Sequence, residues 1–160
     1  GQGSMTGGRD GAGTRTWLAA IGLALFLGGC GGFDDRTPGA LDAYTAEEIY
    51  QRGEFELSRR QPDDAAFYFA EIERLYPYSD WAKRGLIMAA YSFHADRDYP
   101  NARAAAQRYL DFYPTSEDAA YAQYLLALTY YDQIDEVGRD QGLTFQALQA
   151  LRVVIEQYPD

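Results

Sequence analysis

Ala65-Ala66-Phe67-Tyr68-Phe69-Ala70-Glu71-Ile72-Glu73-Arg74-Leu75-Tyr76-Pro77 sets apolar residues at helical spacing and stops on a tyrosine–proline pair. The same closure returns at Tyr113-Pro114 and Tyr158-Pro159. Counting back twelve residues from each proline reaches Ala65, Ala102 and Ala147. A small residue at one fixed offset lets two helices approach closely. Proline ends each helix because it lacks an amide donor and clashes with the preceding turn. The prolines fall 37 and 45 residues apart, lengths that suit a helical hairpin. Working outward, Thr45-Ala46-Glu47-Glu48 reads as a capping box that opens the first helix. Ser79 and Ser116 are placed to cap the first helices of the next two units, with Asp80 and Glu117 favourable to the helix dipole. Pro62 and Pro100 stand where second helices start, a position at which a missing amide costs nothing. Strand-like alternation of any length is absent from the sequence. The expected fold is an all-α solenoid of about three helical hairpins, covering about residues 45–78, 79–115 and 116–160.

Ala65-x3-Phe69 followed by Pro77 matches the second-helix signature of a tetratricopeptide repeat. The second unit adds Tyr99 three residues before Ala102, with Leu86, Ala90 and Phe93 at helical spacing ahead of it as core. The third unit departs from the pattern. Residues 132–142 are polar and carry two glycines, so they read as an enlarged loop between its two helices. The last helix, from Thr144 to Gln157, carries Phe145, Leu148, Leu151, Val154 and Ile155, part of whose apolar surface is expected to lie bare.

Ahead of the repeats, Arg9 and Arg15 precede an apolar run from Trp17 to Leu27, and small residues lead from there to Cys30. A basic stretch, an apolar stretch and a small-residue cleavage site make a secretory signal peptide over residues 1–29. The run is too short to span a bilayer, which takes about 20 residues. Gly1 to Ser4 precede Met5 and read as a possible cloning scar. Leu27-Gly28-Gly29-Cys30 resembles the lipobox of bacterial lipoproteins, which implies cleavage before Cys30 and lipid on that residue. Gly31, rather than aspartate, follows the cysteine. By the sorting rule of such lipoproteins this implies the outer membrane, periplasmic face. Cys30 is the chain's one cysteine, so the competing readings are a buried thiol or an intermolecular disulfide. The glycines on both sides suit no core. Residues 30–44, rich in Gly, Asp and Pro, are expected to be a flexible tether.

The chain has 14 basic and 24 acidic residues. Such a balance disfavours nucleic acid, whose phosphates need Lys and Arg, and adhesion to anionic lipid through the protein surface. Aromatics make up 15% of the chain, with 14 Tyr against 8 Phe, a load suited to packed helices or to an adaptable binding surface.

Several further segments carry a family likeness. Ile49-Tyr50-x2-Gly53, Leu75-Tyr76-Pro77-x-Ser79, Tyr109-Leu110-x2-Tyr113-Pro114 and Tyr121-Ala122-x-Tyr124 come first. Val137-Gly138-Arg139-Asp140-Gln141 and Gln157-Tyr158-Pro159 follow. With the lipobox they resemble the outer-membrane β-barrel assembly lipoproteins of the BamD, or ComL, family, of which residues 17–160 look like the N-terminal part. The resemblance implies a non-enzymatic scaffold of about five repeats in that family. It also implies partners: the barrel subunit with periplasmic domains, other lipoproteins, and the C-terminal strands of unfolded barrel precursors. No cofactor is implied beyond lipid on Cys30.

First helices of such hairpins line the concave face of a solenoid. Here they offer Tyr50 and Phe55, then Trp81, Arg84, Ile87, Met88 and Tyr91, then Tyr121, Tyr124 and Tyr131. An aromatic groove with an arginine suits an extended peptide ending in an aromatic residue and a carboxylate. Tyr50, Trp81, Arg84, Met88, Tyr91, Tyr121 and Tyr124 are the candidate peptide-binding residues. The competing reading makes each of them interhelical core. Arg139 and Asp140 either pair to stiffen the third-unit loop or contact a partner. His94, the one histidine, falls at a helix C-terminus and has no cysteine or second histidine beside it for a metal site. The pairs Asp34-Asp35, Glu47-Glu48 and Asp63-Asp64 suit a solvated tether and helix N-termini better than acid–base chemistry. No phosphate-cradling glycine loop or nucleophile elbow occurs, so catalysis is not expected. Two alternatives stay open at this point: another periplasmic tetratricopeptide adaptor of the cell envelope, and an accessory enzyme acting on glycans or peptides.

Overall fold

The computed structural model describes residues 36–37, 39–137 and 140–159. The signal-peptide segment, Cys30, the first part of the tether and Arg139 lie outside the described residues. Within them there are six helices and no strand: α1 Ala46–Ser58, α2 Pro62–Leu75, α3 Asp80–Ala95, α4 Tyr99–Phe112, α5 Ala119–Val137 and α6 Gln141–Gln157. Each helix packs on the next in chain order, and α3 also touches α1 and α5. The arrangement is therefore three stacked hairpins with α1, α3 and α5 neighbouring one another, a tetratricopeptide-like solenoid.

Local chemistry explains the boundaries. Thr45 and Glu48 form a complete capping box, the Glu48 amide donating to Thr45 Oγ1 and the Thr45 amide to Glu48 Oε2. Ser79 accepts the Ala82 amide at the start of α3, and Asp98 accepts that of Asn101 at the start of α4. Pro62 and Pro100 occupy first-turn positions of α2 and α4. Tyr76, Tyr113 and Tyr158 are the C-caps of α2, α4 and α6, and all three share one backbone geometry, with φ near −130°. Their amides donate to the carbonyls of Ile72, Tyr109 and Val154. One dipeptide thus ends every second helix in the same way.

Small residues set the helix spacing. Ala65, Ala102 and Ala147 are all buried, as is Phe69. Gly53 of α1 lies against the Phe69 ring, where an added Cβ would come within 2.7 Å of a ring carbon. Burying a ring of that size contributes about 1.5–3 kcal/mol. Leu86 and Ala90 are core as expected, and Phe93 is half-buried against it. None of the described helices is long and apolar enough to cross a membrane. Phe145, Leu148 and Ile155 of α6 are exposed, while Leu151 and Val154 are half-buried.

Three expectations are corrected. Ser116 does not cap a helix that follows it directly: α5 starts at Ala119, and Ser116 Oγ instead meets the Tyr109 hydroxyl at 2.9 Å. The third-unit loop is short, because α5 runs on to Val137 and α6 begins at Gln141. Residues 132–137 hold no glycine or proline to stop the helix. Their polarity, read as a loop signal, has partners: Asp132 meets His94, and Gln133 accepts from Arg103 at 2.8 Å.

The third correction concerns the tether. Its described part, residues 36–37 and 39–44, is a succession of turns laid along α2. Arg36 at one end pairs with Asp63 and Asp64 in the first turn of α2, and its guanidinium lies 5.5 Å from the Phe67 ring centre. Leu41 is 5% exposed and belongs to the core. At the other end the Tyr76 hydroxyl, from the C-cap of α2, donates to the Tyr44 carbonyl. These eight residues, outside any helix, are held because one leucine is buried and both ends are tied. The segment is a strap along the α2 edge.

Candidate peptide-binding face

The stacking of first helices brings the sequence-predicted aromatic residues into two groups. Trp81, Arg84, Met88 and Tyr91 follow one another at steps of three, four and three residues, which puts them on one stripe of α3. At the α1 end of that stripe, the Tyr50 and Trp81 rings lie 5.0 Å apart at 49°, and Tyr50 also meets the buried Phe69 edge-on at 5.1 Å. The Arg84 guanidinium lies 5.1 Å from the Trp81 ring centre, an arrangement in which the ring quadrupole attracts the cation. Burial and Glu54 hold the Tyr50 hydroxyl above the ordinary phenol range, with Arg84 pulling the other way. Tyr50, Trp81 and Arg84 are therefore one cluster of two half-buried rings under an exposed cation.

At the α5 end, Tyr91 comes near Tyr121, with Tyr124 one turn further along α5. Burial, and then the neighbouring Tyr91 and Tyr124 hydroxyls, push the Tyr121 hydroxyl up. All three tyrosines are partly exposed, so each presents an apolar ring and a hydroxyl to solvent. Met88, half-buried, stands between the two clusters on the α3 stripe. Its unbranched thioether adapts to varied apolar partners. The surface can thus take two apolar side chains separated along a peptide, with Arg84 as a donor for a carboxylate.

Phe55 and Ile87 do not join this face. Phe55 is five residues past Tyr50, about 140° around α1 at 100° per residue, and lies instead between the guanidiniums of Arg52 and Arg59 at 5.8 and 5.5 Å. Ile87 is buried in the core. Tyr131, at the far end of α5, is exposed. Asp140 is the N-cap of α6: its carboxylate accepts the amides of Gly142 at 2.7 Å and Leu143 at 3.3 Å. Helix initiation accounts for that residue. His94 is held by Asp132 and packs against Tyr99. Among the described residues no group of three or more His, Cys, Asp or Glu side chains is placed to hold a metal ion. Sequence reasoning missed a second depression, between α2, α3 and α4, where Tyr78 and Phe112 stand exposed near Arg108. Its one sequence signal was Tyr78, a large ring in a turn.

Residues 42–160 match the protein family described as YfiO, outer membrane lipoprotein. The chain belongs to this family. A relative in Caulobacter vibrioides, called outer membrane protein assembly factor BamD, is 37% identical over 143 residues, covering 89% of this chain and 47% of the relative. Proteins of the same name in Rickettsia prowazekii and Neisseria gonorrhoeae are 29% and 23% identical, over 92% and 89% of this chain and 57% and 58% of their own lengths. The chain therefore spans about half the length of the curated relatives it matches.

Proposed function

We propose that this chain is a non-catalytic scaffold of the machinery that assembles β-barrel proteins in the outer membrane. Its location there follows from membership of an outer-membrane lipoprotein family. The role rests on relatives named as outer membrane protein assembly factors, which align over most of the chain. In this reading the concave face receives the C-terminal strand of an unfolded barrel precursor. Tyr50 and Trp81 take the terminal aromatic residue, Arg84 the carboxylate, and Tyr91, Tyr121 and Tyr124 a second apolar side chain. The observation that carries the peptide-binding part is the Tyr50–Trp81–Arg84 cluster, two rings in tilted contact with an exposed guanidinium over Trp81. Other subunits of the machinery, a barrel subunit with periplasmic domains and further lipoproteins, are the proposed partners. Lipid on Cys30 is the proposed anchor.

Trp81 supplies the test. The chain has two tryptophans, and a form lacking residues 1–29 keeps Trp81 alone. A peptide copying the last strand of a barrel protein, ending in phenylalanine with a free carboxylate, should change Trp81 emission with saturation. Amidating that carboxylate, or Arg84→Ala, should weaken binding by about 10-fold, the scale of one charge-assisted hydrogen bond. An emission spectrum indifferent to the peptide, in protein with intact helicity, sinks the proposal.

A further inference from the structure

The two aromatic clusters of the concave face stand at a fixed separation. Trp81 and Tyr91 lie ten residues apart on α3, about 15 Å on a helix that rises 1.5 Å per residue. One unbroken helix carries both, so no loop can change the distance between them. Along the stripe that joins them stand Arg84, exposed, and Met88, half-buried. Leu86, Ile87, Ala89 and Ala90 are turned into the core.

The two ends differ in chemistry. At the first, Tyr50 and Trp81 are half-buried, and the Arg84 guanidinium lies 5.1 Å from the Trp81 ring centre. A ring site and a carboxylate donor stand together there, which suits the last residue of a peptide. The peptide is therefore measured backwards from its C-terminus. At the second end, Tyr91, Tyr121 and Tyr124 are 41%, 42% and 43% exposed. Tyr91 and Tyr124 both act on the Tyr121 hydroxyl, so the three tyrosines of α3 and α5 gather at one place. Part of each ring still faces water, which leaves area for one further ring to pack on.

An extended peptide advances about 3.3 Å per residue and turns alternate side chains to the same side. Only even offsets from the terminal residue then face α3. Offsets of two, four and six residues span about 7, 13 and 20 Å at that rise. Four comes closest to the separation of the clusters. We infer that the face is a ruler, selecting peptides whose second aromatic residue stands four positions before an aromatic C-terminal residue. Tyr91 and Tyr121 are its specificity-determining residues. Met88 lies in the interval, where its unbranched thioether accepts varied apolar side chains without selecting among them. Side chains at odd offsets point away from the face. The inference rests on the proposed reading of this face as the receptor for a C-terminal strand.

The full chain carrying Trp17→Phe keeps Trp81 as its one tryptophan and supplies the test. Short peptides end in phenylalanine with a free carboxylate, on a background of serine, threonine and glutamine. Each carries one tyrosine, placed two, three, four, five or six positions before the end. Trp81 emission, excited beyond tyrosine absorption, gives each Kd. Tyrosine at offset four should tighten binding about 3- to 10-fold over a peptide without tyrosine, the scale of one aromatic pair. The other placements should gain less. Tyr91→Ala combined with Tyr121→Ala, two substitutions at partly exposed positions, should abolish the preference for offset four. Equal affinity for every placement, a best placement other than four, or a preference that survives in the double variant overturns the ruler and leaves peptide binding itself standing. A Trp81 signal indifferent to every peptide, in protein with intact helicity, removes the reading of the face and the inference with it.

Discussion

His94 of α3 and Asp132 of α5 meet across the second and third hairpins, Nε2 to Oδ2 at 2.6 Å. The pair sits beside a second crossing, in which Arg103 of α4 donates to Gln133 of α5 and stacks on Tyr130 at 4.7 Å. Together they fasten the last turns of α5, whose composition alone does not favour burial. Asp132→Ala should lower stability by about 0.5–1 kcal/mol, the low end for an ionic hydrogen bond because both groups are partly solvated. Hydrogen exchange is the sharper measurement. Amides in the last two turns of α5 should lose protection while those of α1 and α2 keep theirs. Unchanged exchange in α5 would show that the pair holds nothing together.

Gly53 should tolerate no side chain. In an open helix Gly→Ala stabilises by up to about 1 kcal/mol. Here the added methyl would press on the ring of Phe69, which is fully buried and has no room to swing. Overpacking of that kind costs about 1–3 kcal/mol, so the net effect of Gly53→Ala is destabilising. Denaturant unfolding measures it. Combining Gly53→Ala with Phe69→Leu should lose less than the two single changes added together, since the second removes the clash created by the first.

Glu48 carries a pH signature. The amide and hydroxyl of Thr45 bond its carboxylate and hold it below the ordinary glutamate range. A carboxyl depressed in the folded state contributes stability above its unfolded pKa, and that contribution is lost as pH falls through the folded value. Glu48→Ala should therefore lower the melting temperature at pH 7 and make little difference at pH 2, where the wild-type carboxyl is protonated as well. A direct carboxyl titration by NMR should place Glu48 below the ordinary glutamate range. A midpoint within that range would show that the box does not close in solution.

Much of the fold was legible because the repeat repeats its own punctuation. Tyr76, Tyr113 and Tyr158 end three helices in one way, and the alanines twelve residues before each proline are the buried contacts they were read to be. Where reading failed, partners distant in sequence had overruled local composition. Residues 132–137 are polar, yet His94 and Arg103 supply partners that no local window contains. The strap carries no helical or strand pattern, yet Leu41 finds the core and Arg36 finds Asp63 and Asp64. The candidate face was legible as a set of residues but not as a grouping. That Tyr50 joins Trp81, while Phe55 turns away to two arginines, depends on the rotation of α1 against α3.

Asp140 separates two roles that look alike in sequence. As the N-cap of α6, its carboxylate accepts two amides, and its loss should cost about 0.5–2 kcal/mol. As a partner contact, what matters is its charge. Asp140→Asn keeps an acceptor for the cap and removes the charge, whereas Asp140→Ala removes both. The geometry therefore predicts that Asp140→Ala lowers the melting temperature and loosens the first turn of α6. It also predicts that Asp140→Asn stays close to wild type, both in stability and in copurification with the proposed assembly partners from a bacterial envelope. The opposite pattern, a stable Asp140→Asn protein that loses the partners wild type retains, would move Asp140 from helix initiation to an interface. A cap formed from a neutral amide is as good as one formed from a carboxylate, so stability alone cannot produce that pattern.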